Sequence, residues 1–152
     1  MTAINAAVAI AKNAPAVLAA IDLFDDFATD AALETGGALV PYKGDVKFLI
    51  AREQNENFGT AITKALTDNE TALQAENDES KALSEKLLLE VMADTILLGW
   101  EGNVVYQKQP LPYSRDNAIK LLGHADFRAW VRRQAANREH YKARVLDEAV
   151  KN

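Results

Sequence analysis

The chain has 152 residues, of which 49% are hydrophobic and 26% are charged, and its formal net charge is −5. These values are ordinary for one soluble globular domain, and the acidic balance argues against nonspecific nucleic-acid binding by the whole molecule. The sequence contains no cysteine, which excludes disulfides and thiolate chemistry and agrees with a reducing cytosol.

The first 35 residues have the composition of an acidic, alanine-rich helix. They carry one lysine against five acidic residues, and Pro15 is close enough to Asn13 to lie in a first helical turn. One apolar face holds Val17, Leu18, Ile21, Phe24 and Ala28. We therefore expect residues 1–35 to be a helical extension that ends at Gly36-Gly37, followed by a helical domain over residues 36–152.

The alanine-rich start does not predict an export signal. Its early cation is Lys12 alone, a basic leading region is missing, and Asp22 interrupts the apolar run. No apolar run approaches the length of a transmembrane helix, so we expect no association with a membrane.

Residues 38–51 have the period of β-structure. Leu39–Tyr42 and Val46–Ala51 are predicted strands, and Lys43-Gly44-Asp45 between them is typical of a tight turn. Pro41 favours an edge position for the first strand. Because two strands alone are marginal in water, we expect this hairpin to pack on helices.

Helical periodicity dominates the middle of the chain. Asn55 or Asn57 is expected to begin a helix, the acidic stretch 68–80 is expected to be solvated, and a longer helix should start near Ser80 or Lys81. Apolar residues recur at three- and four-residue intervals from Leu87 to Leu98, which predicts a central helix that stops at Gly99. The predicted structural core consists of Leu88, Val91, Met92, Leu98 and Trp100.

Shorter helices are predicted after an irregular stretch over residues 101–112. Ser114 is a candidate cap of one helix that Gly123 closes, and Asp126 can begin the next. Around Asn137 the chain either bends or continues into a last helix with Tyr141, Val145, Leu146 and Ala149. The predicted fold class is mainly α: a compact helical domain with one small β-hairpin, at about residues 38–51, packed on helices.

No residue pattern predicts catalysis, a cofactor or a metal site. His124 and His140 are far apart in sequence, and neither has a helical partner suited to zinc. Phosphate loops, dinucleotide fingerprints and nucleophile elbows are missing. We therefore expect a protein that is not an enzyme, with no catalytic, cofactor-binding or metal-ligating residues.

The segment from His124 to Val145 is basic, with six cations against Asp126 and Glu139. Three interpretations remain open for its arginines and aromatic residues. They could bind single-stranded nucleic acid through phosphates and base stacking, form the solvated rim of an amphipathic helix, or receive an acidic protein segment.

Four short motifs follow one another in a recognisable order. They are LLGWEG at residues 97–102, PYS at 112–114, FRAWV at 127–131 and, upstream, VPYKGDVKFLIAR at 40–52. Over about the last three-quarters of the chain, this order resembles the tail assembly chaperones of long-tailed, siphophage-type bacteriophages. VVYQKQ at 104–109 departs from the turn rich in glycine and aspartate that is typical of that family.

The resemblance implies a phage- or prophage-encoded, non-enzymatic chaperone in the host cytoplasm. Its implied partner is the tape measure protein, with tail tube subunits as a further candidate, and it would be absent from the finished virion. The predicted partner-binding residues are Phe127, Arg128, Trp130, Val131, Arg132 and Tyr141. The alternative is a small nucleic-acid-associated protein that uses the C-terminal arginine-rich helix. The sequence leaves open a homo-oligomer and retention of the protein in the tail.

Overall fold

A computed structural model describes residues 19–143 of the chain. The helices are α1 (Leu23–Phe27), α2 (Ala31–Gly36), α3 (Glu56–Asp68), α4 (Glu70–Gln74), α5 (Asp78–Thr95), α6 (Arg115–Leu122), α7 (Ala125–Ala136) and a 3-10 helix (Arg138–Tyr141). The strands are β1 (Ala38–Pro41), β2 (Lys47–Ile50), β3 (Leu97–Glu101), β4 (Val105–Tyr106) and β5 (Gln109–Pro110). The predictions for Pro15, Val17 and Leu18, and for Val145, Leu146 and Ala149, lie outside the described residues.

The prediction of a mainly α fold with one hairpin is wrong. The described residues are 57% helical and 15% strand, with a three-stranded antiparallel sheet and a separate two-stranded sheet. The predicted hairpin is present as β1 and β2, with Val40 opposite Phe48. However, β2 is the central strand of a sheet ordered β1-β2-β3. The fold therefore combines helices with a sheet that contributes to the core.

The strand β3 occupies residues that were predicted to end the central helix. Helix α5 stops at Thr95, and Ile96 leaves helical geometry with φ −120° and ψ −63°. The chain then runs antiparallel to β2 and places Trp100 opposite Phe48. The helix stop predicted at Gly99 is therefore wrong, since Gly99 lies inside β3.

The GWEG and PYS motifs together form one structural unit. Gly102 has φ +95°, and a Cβ atom there would lie 2.5 Å from the carbonyl oxygen of Asp45, so the chain requires glycine at this position. The indole N–H of Trp100 donates to the carbonyl oxygen of Leu111 over 2.9 Å, and the Trp100 ring packs edge-on against Tyr113. Ser114 then caps α6 by accepting a hydrogen bond from the backbone N–H of Asn117.

The hydrophobic core lies between one face of the three-stranded sheet and helices α5, α6 and α7. Phe48 is 4% exposed and lies at the centre of an aromatic cluster. Its ring centroid is 5.3 to 5.9 Å from those of four other aromatic side chains: Tyr42, Trp100, Phe127 and Trp130. The alternation of buried and exposed residues along β1 shows that the opposite face of this edge strand is open to solvent.

Part of the predicted N-terminal extension packs on the rest of the protein. The backbone N–H of Asp30 donates to the carbonyl oxygen of Tyr141, and that of Ala143 donates to the carbonyl oxygen of Ala28. In α2, the carbonyl oxygen of Glu34 accepts from the backbone N–H of Arg52. The predicted boundary at residue 35 therefore falls within a set of contacts, whereas residues 1–18 of that extension lie outside the described range.

Candidate binding groove

An apolar groove of about 210 Å³ opens between helices α3, α5 and α7. Its floor and walls are apolar, and its rim is polar. The floor consists of Met92, Ile96 and Ala135, the walls of Phe58 and Leu88, and the rim of Glu53, Gln54 and Arg132. The floor residues are buried and the wall residues are half-buried, so the groove is a shallow opening onto the core.

Helix geometry places two of these side chains in one row. Leu88 and Met92 are four residues apart in α5, and side chains at that spacing lie on the same face of a helix. Ile96 directly follows α5, and its backbone N–H still donates to the carbonyl oxygen of Met92. The sequence therefore predicts that this row lies on one face of the central helix. It does not predict that the neighbouring helices leave part of the row uncovered.

Asn55 connects the elements that line the groove. Its side-chain oxygen accepts from the backbone N–H of Phe58 at the start of α3 over 3.0 Å. Its amide group donates to the carbonyl oxygens of Arg52, over 2.8 Å, and Thr95, over 3.0 Å. Asn55 is 5% exposed, so one buried amide connects the loop before α3 to the end of α5.

The rim carries one exposed ion pair. Arg132 and Glu53 approach to 3.8 Å, with their side chains 60% and 39% exposed. A pair in this setting contributes at most about 1 kcal/mol. The two charges can therefore separate at little cost when a partner with its own charges reaches the groove.

The size of the groove favours one inserted side chain over a small-molecule ligand. Small-molecule pockets usually have volumes of about 300–1,000 Å³, and this groove is smaller. Protein interfaces often depend on a few anchor side chains that enter well-packed pockets. Met92 in the floor can adjust its shape to such an anchor because its side chain is flexible.

The structure divides the predicted partner-binding residues among four environments. Arg132 lies at the groove rim. Phe127 and Trp130 are half-buried, and their rings stack on each other beside Phe48. The guanidinium of Arg128 donates to the carbonyl oxygen of Leu122 and lies 3.5 Å from Glu85.

Val131 and Tyr141 belong to the interior and cannot contact a partner in this fold. Both are 0% exposed. The Tyr141 hydroxyl donates to the carbonyl oxygen of Ile50 over 3.0 Å, and burial raises the pKa of this hydroxyl above its ordinary value. Core packing explains why one of these positions is aromatic and the other is apolar.

The residues predicted to form the core also differ in their environments. Val91 and Met92 are buried. Leu88 and Trp100 are half-buried and pack against the core, and Leu88 also forms a wall of the groove. Leu98 is half-buried in β3.

The basic segment is partly neutralised by contacts within the chain. Besides the pairs of Arg128 and Arg132, the guanidinium of Arg138 lies 4.8 Å from the ring centroid of Phe27 and donates to the carbonyl oxygen of Asp26. Lys142 pairs with Glu139 at 3.4 Å. Within residues 124–143, these contacts reduce the positive charge that is free to meet a phosphate backbone.

Both histidines are hydrogen-bonded to other side chains. Nε2 of His124 is 2.8 Å from the Tyr106 hydroxyl, and Nε2 of His140 donates to Oε1 of Gln134 over 2.9 Å. Burial lowers the pKa of His140, with a smaller opposing effect from Glu139. Across residues 19–143, no three histidine or carboxylate side chains come together as a metal site.

The comparisons with known proteins place the chain among prophage proteins. The family model described as "YdaY prophage protein" matches residues 53–152. The chain belongs to this family, and it is therefore a phage- or prophage-encoded protein. All the groove-lining residues fall within the matched range. No curated protein and no solved structure gave a significant match.

A helix that crosses a membrane needs about 20 consecutive, mostly apolar residues. Between residues 19 and 143, the longest helices are too short or too polar to cross a lipid bilayer.

Proposed function

We propose that this prophage protein is a non-enzymatic assembly chaperone for phage tails. It binds an apolar helical segment of the tape measure protein in the groove between α3, α5 and α7. The binding takes place in the cytoplasm of the host, before the tail tube polymerises, and the chaperone leaves before the virion is complete. Tail tube subunits are a second candidate partner.

The open groove is the observation that carries this proposal. It exposes parts of Phe58 and Leu88 at the surface while Met92 and Ile96 lie beneath them. Grooves of this kind receive an anchor side chain from the apolar face of an amphipathic helix. A long helical tape measure protein with apolar stripes would aggregate unless such partners covered it.

Two further observations support the proposal. The family is a prophage family, and the order of the LLGWEG, PYS and FRAWV motifs resembles that of tail assembly chaperones. The Glu53–Arg132 pair at the rim can set the orientation of a bound helix, because rim charges contribute more to specificity and association rate than to affinity.

The alternative function, binding of nucleic acid by the C-terminal arginines, has less support. Arg128 and Arg132 pair with Glu85 and Glu53. A phosphate backbone would have to displace these carboxylates in a chain whose net charge is already −5.

Co-expression tests the proposed function. We expect this protein to increase the soluble yield of the tape measure protein from the same phage genome and to copurify with it. The complex should persist at high salt because apolar contacts dominate it. Yield is measured by comparing soluble and pelleted tape measure protein with and without the chaperone.

A salt titration separates the two functions. Binding through phosphate contacts weakens steeply as salt rises. Binding of mixed-sequence DNA and RNA is therefore measured at the same salt concentrations as binding of the tape measure protein. Tape measure protein that stays insoluble in the presence of excess chaperone, together with salt-sensitive binding to nucleic acid, would support the alternative and contradict the proposal.

A further inference from the structure

An exposed apolar segment precedes the packed part of the chain. Within seven residues, four large apolar side chains are between 63% and 76% exposed: Ile21, Leu23, Phe24 and Phe27. Single exposed apolar residues are common on protein surfaces, but a contiguous set marks an interaction site. We name residues 19–27 the N-terminal arm.

The N-terminal arm is also acidic and short. Asp22, Asp25 and Asp26 alternate with its apolar residues, and Asp22 caps α1 by accepting from the backbone N–H of Phe24 over 2.9 Å. Helix α1 has five residues, and isolated helices of this length are marginal in water. The arm would therefore gain order from a surface that covers its apolar side chains.

The arm does not fill the groove of its own molecule. The groove-lining residues lie between Glu53 and Ala135 and include no arm residue. The C-terminal end of the arm is attached to residues 138–142. Arg138 contacts both Asp26 and Phe27, and Thr29, just after the arm, pairs with Lys142. Against residues 19–143, the apolar side chains of the arm thus remain exposed.

The arm and the groove have complementary chemistry. The groove has room for about one large side chain, and Phe24, at 76%, is the most exposed large apolar residue of the arm. Beside the groove, Arg132 is 60% exposed in a weak ion pair, and the arm carries Asp25 and Asp26 next to Phe24. An acidic segment with an aromatic anchor therefore matches an apolar groove with an arginine at its rim.

We propose that the N-terminal arm of one copy of this protein docks in the groove of a second copy. Phe24 enters between Phe58 and Leu88, and the neighbouring aspartates pair with Arg132. This self-association goes beyond the proposed function and requires no phage partner. One consequence alone rests on the proposed function: the arm and the tape measure protein compete for the same groove, so self-association and client binding exclude each other.

The mass of the full-length protein in solution, measured as a function of concentration, tests the inference. We expect the wild type to shift from monomer to a larger species as concentration rises. Phe24→Ser should raise the dissociation constant at least tenfold, and Arg132→Glu should do the same by placing a second carboxylate beside Glu53. Both side chains are largely exposed, so circular dichroism should show that both variants remain folded.

Leu66→Ser is the matched control. Leu66 is 53% exposed on α3 but does not line the groove, so its loss should leave the dissociation constant within about twofold of the wild type. Equal effects of Phe24→Ser and Leu66→Ser would overturn the inference, because they would indicate general surface stickiness.

Mixing the two variants gives the most specific result. The Phe24→Ser chain retains an intact groove, and the Arg132→Glu chain retains an intact arm. An equimolar mixture should therefore form a heterodimer through one arm and one groove at concentrations where each variant alone is monomeric. A mixture that stays monomeric, or a wild type that is monomeric at every concentration, would overturn the inference. Capture of the tape measure protein is measured separately, so the two proposals can fail independently.

Discussion

Replacing Tyr141 with alanine is expected to lower the free energy of unfolding by about 3–5 kcal/mol, the usual effect of removing a buried aromatic ring. Tyr141 is the largest fully buried side chain. Its hydroxyl donates to the carbonyl oxygen of Ile50 in β2, while its own carbonyl oxygen accepts from Asp30. The side chain therefore joins the end of the described chain to the sheet, whereas the contact with the segment before α2 is made by the backbone. Denaturant unfolding measures the change.

Two variants control for this effect. Tyr141→Phe retains the ring and removes only the hydroxyl, so it should cost about 0.5–1.5 kcal/mol, the usual net contribution of one hydrogen bond. Tyr113→Ala removes a tyrosine that is 40% exposed and should cost less than Tyr141→Ala. Similar losses for Tyr141→Ala and Tyr113→Ala would contradict the buried position of Tyr141.

Replacing Asn55 with alanine is expected to cost about 2–4 kcal/mol. The substitution removes a helix cap, usually worth about 1 kcal/mol, and leaves the buried carbonyl oxygen of Thr95 without this donor, at about 1–3 kcal/mol. The carbonyl oxygen of Arg52 loses the side-chain donor but still accepts from the backbone N–H of residue 55. Thermal or denaturant unfolding measures the loss.

Ser114 provides a matched cap for comparison. It is exposed, and its side chain accepts one hydrogen bond at the start of α6, so Ser114→Ala should cost only about 1 kcal/mol. Asn55→Asp retains the cap but cannot donate to the carbonyl oxygens of Arg52 and Thr95, and it should remain clearly destabilising. If Asn55→Ala costs no more than Ser114→Ala, then Asn55 acts only as a cap.

Local signals in the sequence predicted several element boundaries correctly. Asn55, one of the two predicted candidates, caps α3, and Ser114 caps α6. A polar side chain that accepts from the first turn of a helix leaves a recognisable local pattern. The turn at Lys43-Gly44-Asp45 also lies between two paired strands, where Gly44 has the positive φ that favours glycine.

The strand β3 could not be predicted from local signals. Leu97 and Leu98 continue the apolar run of α5 without the alternation of a half-buried strand, so periodicity favours a longer helix. What determines their conformation is pairing with β2, and Trp100 and Phe48 are partners across 52 positions of the chain. The helix ends without a glycine at Ile96, where a sequence-based prediction has little to detect.

The groove was only half predictable for a related reason. The spacing of Leu88, Met92 and Ile96 gives an apolar helical face, but the uncovered part of that face depends on where α3 and α7 pack. Likewise, Phe127 and Tyr141 both resemble anchor residues in the sequence. Only the packed fold separates the half-buried ring of Phe127 from the fully buried Tyr141.

The affinity of the purified protein for the tape measure protein, compared between Phe58→Ala and Leu66→Ala, tests the central claim most directly. Phe58 forms a wall of the groove, whereas Leu66 is exposed on the same helix outside it. Losing an anchor contact of about 2 kcal/mol corresponds to a roughly 30-fold weaker Kd. We therefore predict that loss for Phe58→Ala and less than about threefold for Leu66→Ala, with both variants folded by circular dichroism. A folded Phe58→Ala protein that binds as tightly as the wild type would contradict the groove as the binding site.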